Sequence, residues 1–253
     1  MDVDDYFEIS PELLPYLPEL LTDIWALGSS PETVVEWLRS LQLPSGTTRV
    51  LDLGCGKGAV SVNLATELGF HIVGIDFFEP FLVDARNKAK ELGVEKLCSF
   101  ECADMFDILN KANGYDIVIY TGVGGVLGSF GQCVLRLRRT VRPGGYMVID
   151  DGYRVTSNKI SRPGYDHYVF YQETIRQLTS LGDIILREKV VPVYNVKSRH
   201  QQETGLIARR VESLSREHPE LVNSFFEYLE REKQECEILE RDIAEAMWLL
   251  QRV

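Results

Sequence analysis

The sequence predicts an α/β chain in which a seven-stranded, mostly parallel sheet carries helices on both faces and a helical cap. Three observations carry this reading. From Arg49 onward, short apolar runs alternate with amphipathic stretches, the rhythm of strands joined by crossover helices. A glycine-rich turn, Gly54-Cys55-Gly56-Lys57-Gly58, separates the first apolar run from the first amphipathic stretch. Near the C-terminus two further strand-like runs flank a charged segment that keeps a helical apolar stripe.

The elements follow in order. Leu13, Leu14, Leu17, Leu20, Leu21 and Ile24 recur at helical spacing, interrupted by Pro15 and Pro18. After Gly28, the run Ser29-Ser30-Pro31-Glu32 offers a capping serine, a first-turn proline and an early carboxylate. It predicts a helix through Leu41 that buries Val34, Val35, Trp37, Leu38 and Leu41. Pro44-Ser45-Gly46 then turns the chain, so residues 1–45 form an N-terminal helical cap segment and 46–253 the main domain. Strands are expected at 50–53, 71–75, 98–102, 116–120 and 146–150, with helices at 59–68, 80–92 and 132–141. Arg142-Pro143-Gly144-Gly145 ends the last of these helices, because proline and paired glycines do not extend it. A sixth strand is read at 184–194 and a seventh at 246–253, around a helical insertion at about 203–241.

Composition narrows the function. A chain of 253 residues that is 45% hydrophobic can bury a full core. Its formal net charge of −11 repels nucleic acid and anionic membrane surfaces. Cys55, Cys98, Cys102, Cys133 and Cys236 form neither paired zinc clusters nor an even disulfide framework, which suits a reducing compartment. The N-terminus MDVDDYFEIS is acidic where a secretion signal is basic and then apolar, and no apolar run reaches membrane-spanning length. A cytoplasmic location is expected. His71, His167, His200 and His218 show no metal-ligand spacing, so no catalytic metal is expected.

The chemistry concentrates at Val50-Leu51-Asp52-Leu53-Gly54-Cys55-Gly56-Lys57-Gly58. Glycines there permit a sharp turn and let a ligand approach the backbone closely. The spacing is GxGxG after an acidic strand residue, and the GxGxxG fingerprint of pyrophosphate-binding dinucleotide folds is absent at this turn. Asp76 closes the next strand, where a carboxylate can accept hydrogen bonds from both ribose hydroxyls of an adenosine-like ligand. The pattern implies a nucleoside and disfavours a nicotinamide cofactor, which stays as a distant alternative.

In combination, VLDLGCGKG, VGIDFFEPFLVDAR, FECADMFD, YDIVIYTGVGGVLG and VRPGGYMVIDDG, spanning Arg49 to Gly152, resemble the ordered motifs of class I S-adenosylmethionine-dependent methyltransferases. The resemblance implies that Gly54, Cys55 and Gly56 pass beneath the methionine part of the cofactor, while Asp52 organises the turn and helps hold its amino group. It implies Asp76 on the ribose, Phe77 against the adenine, Asp104 on the adenine amino group and Met105 on the ring. Tyr120, Thr121 and Gly122 would flank the methionine and face the substrate. The implied reaction leaves S-adenosylhomocysteine and methylates a small molecule; a protein or RNA acceptor and a non-catalytic binding module are the rivals. Thr121-Gly122-Val123-Gly124-Gly125-Val126 departs from the Asn-Pro-Pro-Tyr type, lacking an aromatic clamp for a flipped base. Asp151 and His167 are the candidates for proton transfer, one beside the fifth strand and the other in a polar aromatic cluster. The insertion would be a lid with the N-terminal helices opposite. The stripes Leu17, Leu20, Leu21, Ile24 and Phe225, Phe226, Leu229 must bury against the sheet, each other, or a second copy in a homodimer.

Overall fold

The computed structural model describes residues 7–160 and 162–253. Seven strands form one sheet: β1 (Arg49–Leu53), β2 (His71–Asp76), β3 (Cys98–Cys102), β4 (Tyr115–Thr121), β5 (Val141–Arg154), β6 (Ile184–Val190) and β7 (Ile243–Gln251), in spatial order β3-β2-β1-β4-β5-β7-β6. The first five pair in parallel and β7 runs antiparallel to both neighbours. Flanking helices are α1 (Leu17–Leu20), α2 (Pro31–Ser40), α3 (Ala59–Leu68), α4 (Glu79–Glu91), α5 (Met105–Lys111), α6 (Phe130–Thr140), α7 (Tyr171–Leu178), α8 (Val193–Glu217) and α9 (Val222–Asp242). No helix among the described residues is long and apolar enough to cross a membrane.

Strand alternation sends side chains to two cores. Leu51, Leu53, Val118, Ile149 and Trp248 pack on one face beneath α6, whose Phe130, Val134 and Leu137 are buried. Val50, Ile72, Ile117, Val148 and Leu249 pack on the other against α2 and α3. The periodic segment at 13–24 is not one helix. Pro15 and Pro18 each lack an amide hydrogen, and the chain forms a 3₁₀ turn at Leu14–Tyr16 and then the single turn of α1. The Ser30 hydroxyl does not cap α2; it bonds the Thr33 hydroxyl at 2.8 Å. Helices α5 and α7 are too short to show a period in sequence, and neither was expected.

Two boundaries move for a tertiary reason. Arg142-Pro143-Gly144-Gly145 follows the helix as strand, not loop, since the Gly144 amide donates to the Arg252 carbonyl and the Arg252 amide to that of Gly145. At its other end β5 continues through Arg154, paired with Ile243 of β7, so Asp150, Asp151 and Tyr153 lie within the strand. Strand β6 stops at Val190, and Pro192 starts α8, so the insertion begins at Val193 rather than near residue 203.

The cap stripes bury against each other. Leu17, Leu20, Leu21 and Ile24 share one cluster with Phe225 and Leu229 of α9, Ile207 and Val211 of α8, and Phe78 and Phe81 of the sheet domain. Phe226 is instead 45% exposed, and α2 belongs to the sheet, so residues 9–24 and 31–40 pack in different places. Arg210 clamps Asp23 through two bonds of 2.7 and 2.8 Å. Phe225→Ala is expected to destabilise the cap by about 3–5 kcal/mol, the usual cost of emptying a fully buried phenylalanine site. Hydrogen exchange of α8 and α9 reads this loss directly.

Candidate functional site

The site begins where β1 ends. The chain turns at Gly54 with φ +72°, where a Cβ would sit 2.5 Å from a Val123 methyl, so neither the backbone nor the space admits a side chain. The amides of Gly54 and Cys55 donate to the Ile75 carbonyl at 2.8 and 3.0 Å, tying the turn to β2. Asp76 completes the tie. Its carboxylate accepts the Gly56 amide at 2.8 Å and the Phe78 amide at 2.9 Å. Burial raises its pKa, opposed by those backbone donors.

Asp52, one turn deeper, is buried and accepts the Ser61 hydroxyl at 2.6 Å. Burial pushes its pKa up to about 7; the Ser61 bond opposes the shift and the Asp76 charge adds to it. Asp104 caps α5, accepting the Phe106 amide at 2.7 Å, and so stands at the carboxyl end of β3 with Met105 beside it. Thr121 and Gly122 close β4, and the carbonyl of Leu27 packs where a Gly122 Cβ would lie, 2.7 Å away.

These elements enclose a cleft of about 1080 Å³, mouth included, at the carboxyl edge of β1, β2, β3 and β4. Asp52, Gly54, Cys55, Gly56, Asp76, Phe77, Asp104, Met105, Thr121 and Gly122 all line it. Tyr120 does not. Its ring is buried in the core behind the cleft, its hydroxyl donating to the Gly124 carbonyl at 2.8 Å and accepting the Leu127 amide at 3.2 Å. Asp151 and His167 also lie outside the lining and bond to one another, Nε2 to carboxylate at 3.0 Å. His167 is buried. His200 is likewise buried, 3.0 Å from Glu240, in the α8–α9 layer.

The cap contributes residues that motif spacing did not reveal. The Phe7 ring stacks on Phe77 with centroids 5.8 Å apart, and Trp25, Leu27 and Ser29 complete the wall. Trp25 donates from its indole to the Lys57 carbonyl at 2.9 Å, and the buried Lys57 ammonium donates to the Leu21 carbonyl at 2.5 Å. Burial lowers the Lys57 pKa, against the nearby Asp84 and Asp23 charges. Lys57 stood inside the glycine motif and was legible there; Phe7 and Leu27 carried no local signal. The cleft thus presents carboxylates at three points along a mostly apolar slot. No group of three or more metal-ligating side chains is assembled among the described residues.

The strand order, the antiparallel final strand and a glycine turn flanked by Asp52 and Asp76 define the Rossmann-like methyltransferase fold. A family model described as "Methyltransferase domain" matches residues 44–248, and the chain belongs to that family. The chain is 33% identical to the uncharacterized protein YjhP of Escherichia coli over 46% of each. It is 30% identical to N-terminal Xaa-Pro-Lys N-methyltransferase 1 of Bos taurus, over 49% of this chain and 56% of that one. It is also 30% identical to the ubiquinone/menaquinone biosynthesis C-methyltransferase UbiE of Bdellovibrio bacteriovorus, over 64% of this chain and 67% of that one. The chain spans about half the length of the first of these curated relatives. In fold it matches a S-adenosylmethionine-dependent methyltransferase from Geobacter sulfurreducens, solved with S-adenosyl-L-homocysteine, at TM-score 0.79 and 19% identity, covering 97% and 99% of the two chains.

Proposed function

We propose that the cleft binds S-adenosylmethionine and that the chain moves its methyl group to a small-molecule acceptor, releasing S-adenosylhomocysteine. The single observation behind this reading is the convergence of Asp52, the glycine turn, Asp76 and Asp104 on one apolar-walled cleft. The residues fit such a ligand: Gly56 leaves bare backbone on the cleft, where a longer side chain would fill the space toward Leu27, and each buried carboxylate keeps acceptor capacity after its internal bonds. In this reading Asp76 takes the ribose hydroxyls, Asp104 the adenine amino group, Phe77 and Met105 the ring faces, and Asp52 the amino group. Cys55, Thr121 and Gly122 border the methionine chain.

When bound, the sulfonium supplies an already activated methyl group. The chain's own task is alignment and exclusion of water. Thr121, Gly122 and the Leu27 loop hold the two sides of the methionine subsite together, and Phe7 covers the Phe77 side. Bound there, the cofactor would present its methyl group to an acceptor held beside Thr121 and Gly122, and His167, whose ring nitrogens meet the Gly164 carbonyl and the Asp151 carboxylate, would not take the acceptor's proton. A cap layer that reaches into the cleft wall favours a compact acceptor. A protein acceptor is the second reading, supported by the likeness to an enzyme named for protein N-terminal methylation.

Methyl-labelled S-adenosylmethionine incubated with metabolite, protein and RNA fractions separates these readings. Label is expected in the metabolite fraction. Label confined to protein overturns the small-molecule reading, and no transfer to any fraction with intact cofactor binding favours a binding module. The electrostatics add a pH prediction. Asp52 must be ionised to hold an ammonium group, and its pKa lies at about 7, so affinity for S-adenosylhomocysteine is expected to fall as pH drops below that value. Calorimetry checks it, and Asp52→Asn is expected to remove the acid limb.

A further inference from the structure

His167 faces acceptors on both sides. Its Nδ1 lies 2.9 Å from the Gly164 carbonyl, and its Nε2 lies 3.0 and 3.2 Å from the two Asp151 carboxylate oxygens. A neutral imidazole has one N–H, so only the imidazolium can satisfy both contacts. The ring also blocks a turn. A Cβ on Gly125 would collide with Nδ1 and lie 2.7 Å from the Gly164 carbonyl, so ring, loop and turn are packed to contact. That turn, Gly124–Leu127, follows β4, and Val123 and Val126 at its start and middle form part of the cleft wall. On its core side the Tyr120 hydroxyl holds Gly124 and Leu127. The turn is therefore gripped between Tyr120 and His167.

We infer that His167 is a buried imidazolium that acts as a positioning residue, holding the turn after β4 in the place the methyl-donor cleft requires, with Asp151 as its counter-ion. It has no lone pair to offer a substrate, so it is not a general base. The inference rests on the reading of the cleft as the donor site. Burial pulls the His167 pKa down, yet the Asp151 hydrogen bond and charge, the Gly164 carbonyl and the Asp166 charge outweigh it and hold it above the ordinary histidine value. From its own loop Tyr168 packs tilted against the ring with centroids 4.0 Å apart, and Tyr165 meets Tyr168 and hydrogen-bonds Glu235 of α9. From α6 come Phe130 and the Cys133 thiol, whose pKa burial raises with help from the Asp151 charge, and from β7 the apolar Trp248, which packs on Phe130. Two cations stand nearby, Arg136 of α6, which donates to the Leu127 carbonyl of the turn, and Arg162, over the Tyr165 ring; the Asp151 carboxylate is ion-paired with His167. Because the folded pKa is raised, the grip is complete at low pH and is lost as pH rises through the folded value.

Histidine-labelled NMR of the full chain, together with calorimetry of S-adenosylhomocysteine across the neutral and alkaline range, tests this. The His167 ring, assigned by its loss in His167→Gln, is expected to carry both N–H protons near pH 7. Wild-type affinity is expected to decline on the alkaline side. His167→Gln is expected to bind about five- to tenfold more weakly at neutral pH and to lose that alkaline limb while keeping the acid limb from Asp52. Asp151→Asn keeps the volume and is expected to reproduce the same profile should His167→Gln fold poorly. A neutral ring near pH 7, or a folded variant with the wild-type profile, overturns the positioning role alone. A folded wild type that does not bind S-adenosylhomocysteine overturns the donor-site reading and the positioning role with it.

Discussion

Asp76→Ala is expected to weaken binding of S-adenosylmethionine and S-adenosylhomocysteine at least tenfold. The carboxylate has two duties. Inside the protein it accepts the Gly56 and Phe78 amides at 2.8 and 2.9 Å and so holds the glycine turn against the end of β2. Toward the ligand it would accept the two ribose hydroxyls, and loss of a charged acceptor there is worth about 1.5–3 kcal/mol. Alanine removes both. It leaves two amides without their acceptor, which costs about 1–3 kcal/mol for each that water cannot reach, so a fall in Tm should accompany the loss of affinity. Asp76→Asn retains one carbonyl oxygen and is expected to fall between alanine and wild type in both respects. Calorimetry of a folded Asp76→Ala protein that returned wild-type affinity would remove Asp76 from the site.

Gly56→Val is expected to abolish cofactor binding while leaving the sheet folded. A Cβ at Gly56 would meet nothing closer than a Leu27 methyl at 3.5 Å, so the fold itself has room for the first carbon. The branches would extend into the space between the glycine turn and the Leu27 loop, which is the cleft. The backbone at φ +51° also disfavours a β-branched residue, at a cost of about 1–2 kcal/mol that the sheet can absorb. Gly58→Val is the contrasting variant. Its Cβ would lie 2.8 Å from that of Ala85 and 3.3 Å from the Phe100 ring, inside the packing of α4 on the sheet. It is expected to lower Tm sharply. Circular dichroism with a binding assay on both variants distinguishes a turn kept open for a ligand from one kept open for packing.

Much of the sheet was legible because its signals are local. Strand Cys98–Cys102 and helix Ala59–Leu68 have the bounds the pattern predicts, since short strand-like runs and helical spacing are set by neighbours in sequence. Ten of the eleven residues expected around the cofactor line one cleft for a related reason: strand ends of a parallel sheet lie along one edge, so motifs at those ends converge. Tyr120 departs because alternation along β4 turns its side chain to the opposite face from the next residue, into the core. The extra length of β5 was not legible. Arg142-Pro143-Gly144-Gly145 has turn chemistry, and only the C-terminal strand running alongside makes it part of a sheet.

The sequence by itself therefore determined the order of the strands and of the longer helices between them, the glycine turn and the carboxylates near the strand ends, since each depends on residues within a few positions of one another. Tertiary structure decided the remainder. It brought Phe7 onto Phe77 across 70 positions of sequence, and the Arg210 guanidinium onto Asp23 across 187. It also set Asp151 and His167 facing each other behind the cleft rather than within it. The physical reason is that a side chain's direction and charge state depend on what packs against it. A histidine whose two nitrogens meet a carbonyl and a carboxylate holds a proton that the same residue in an open loop would exchange with water.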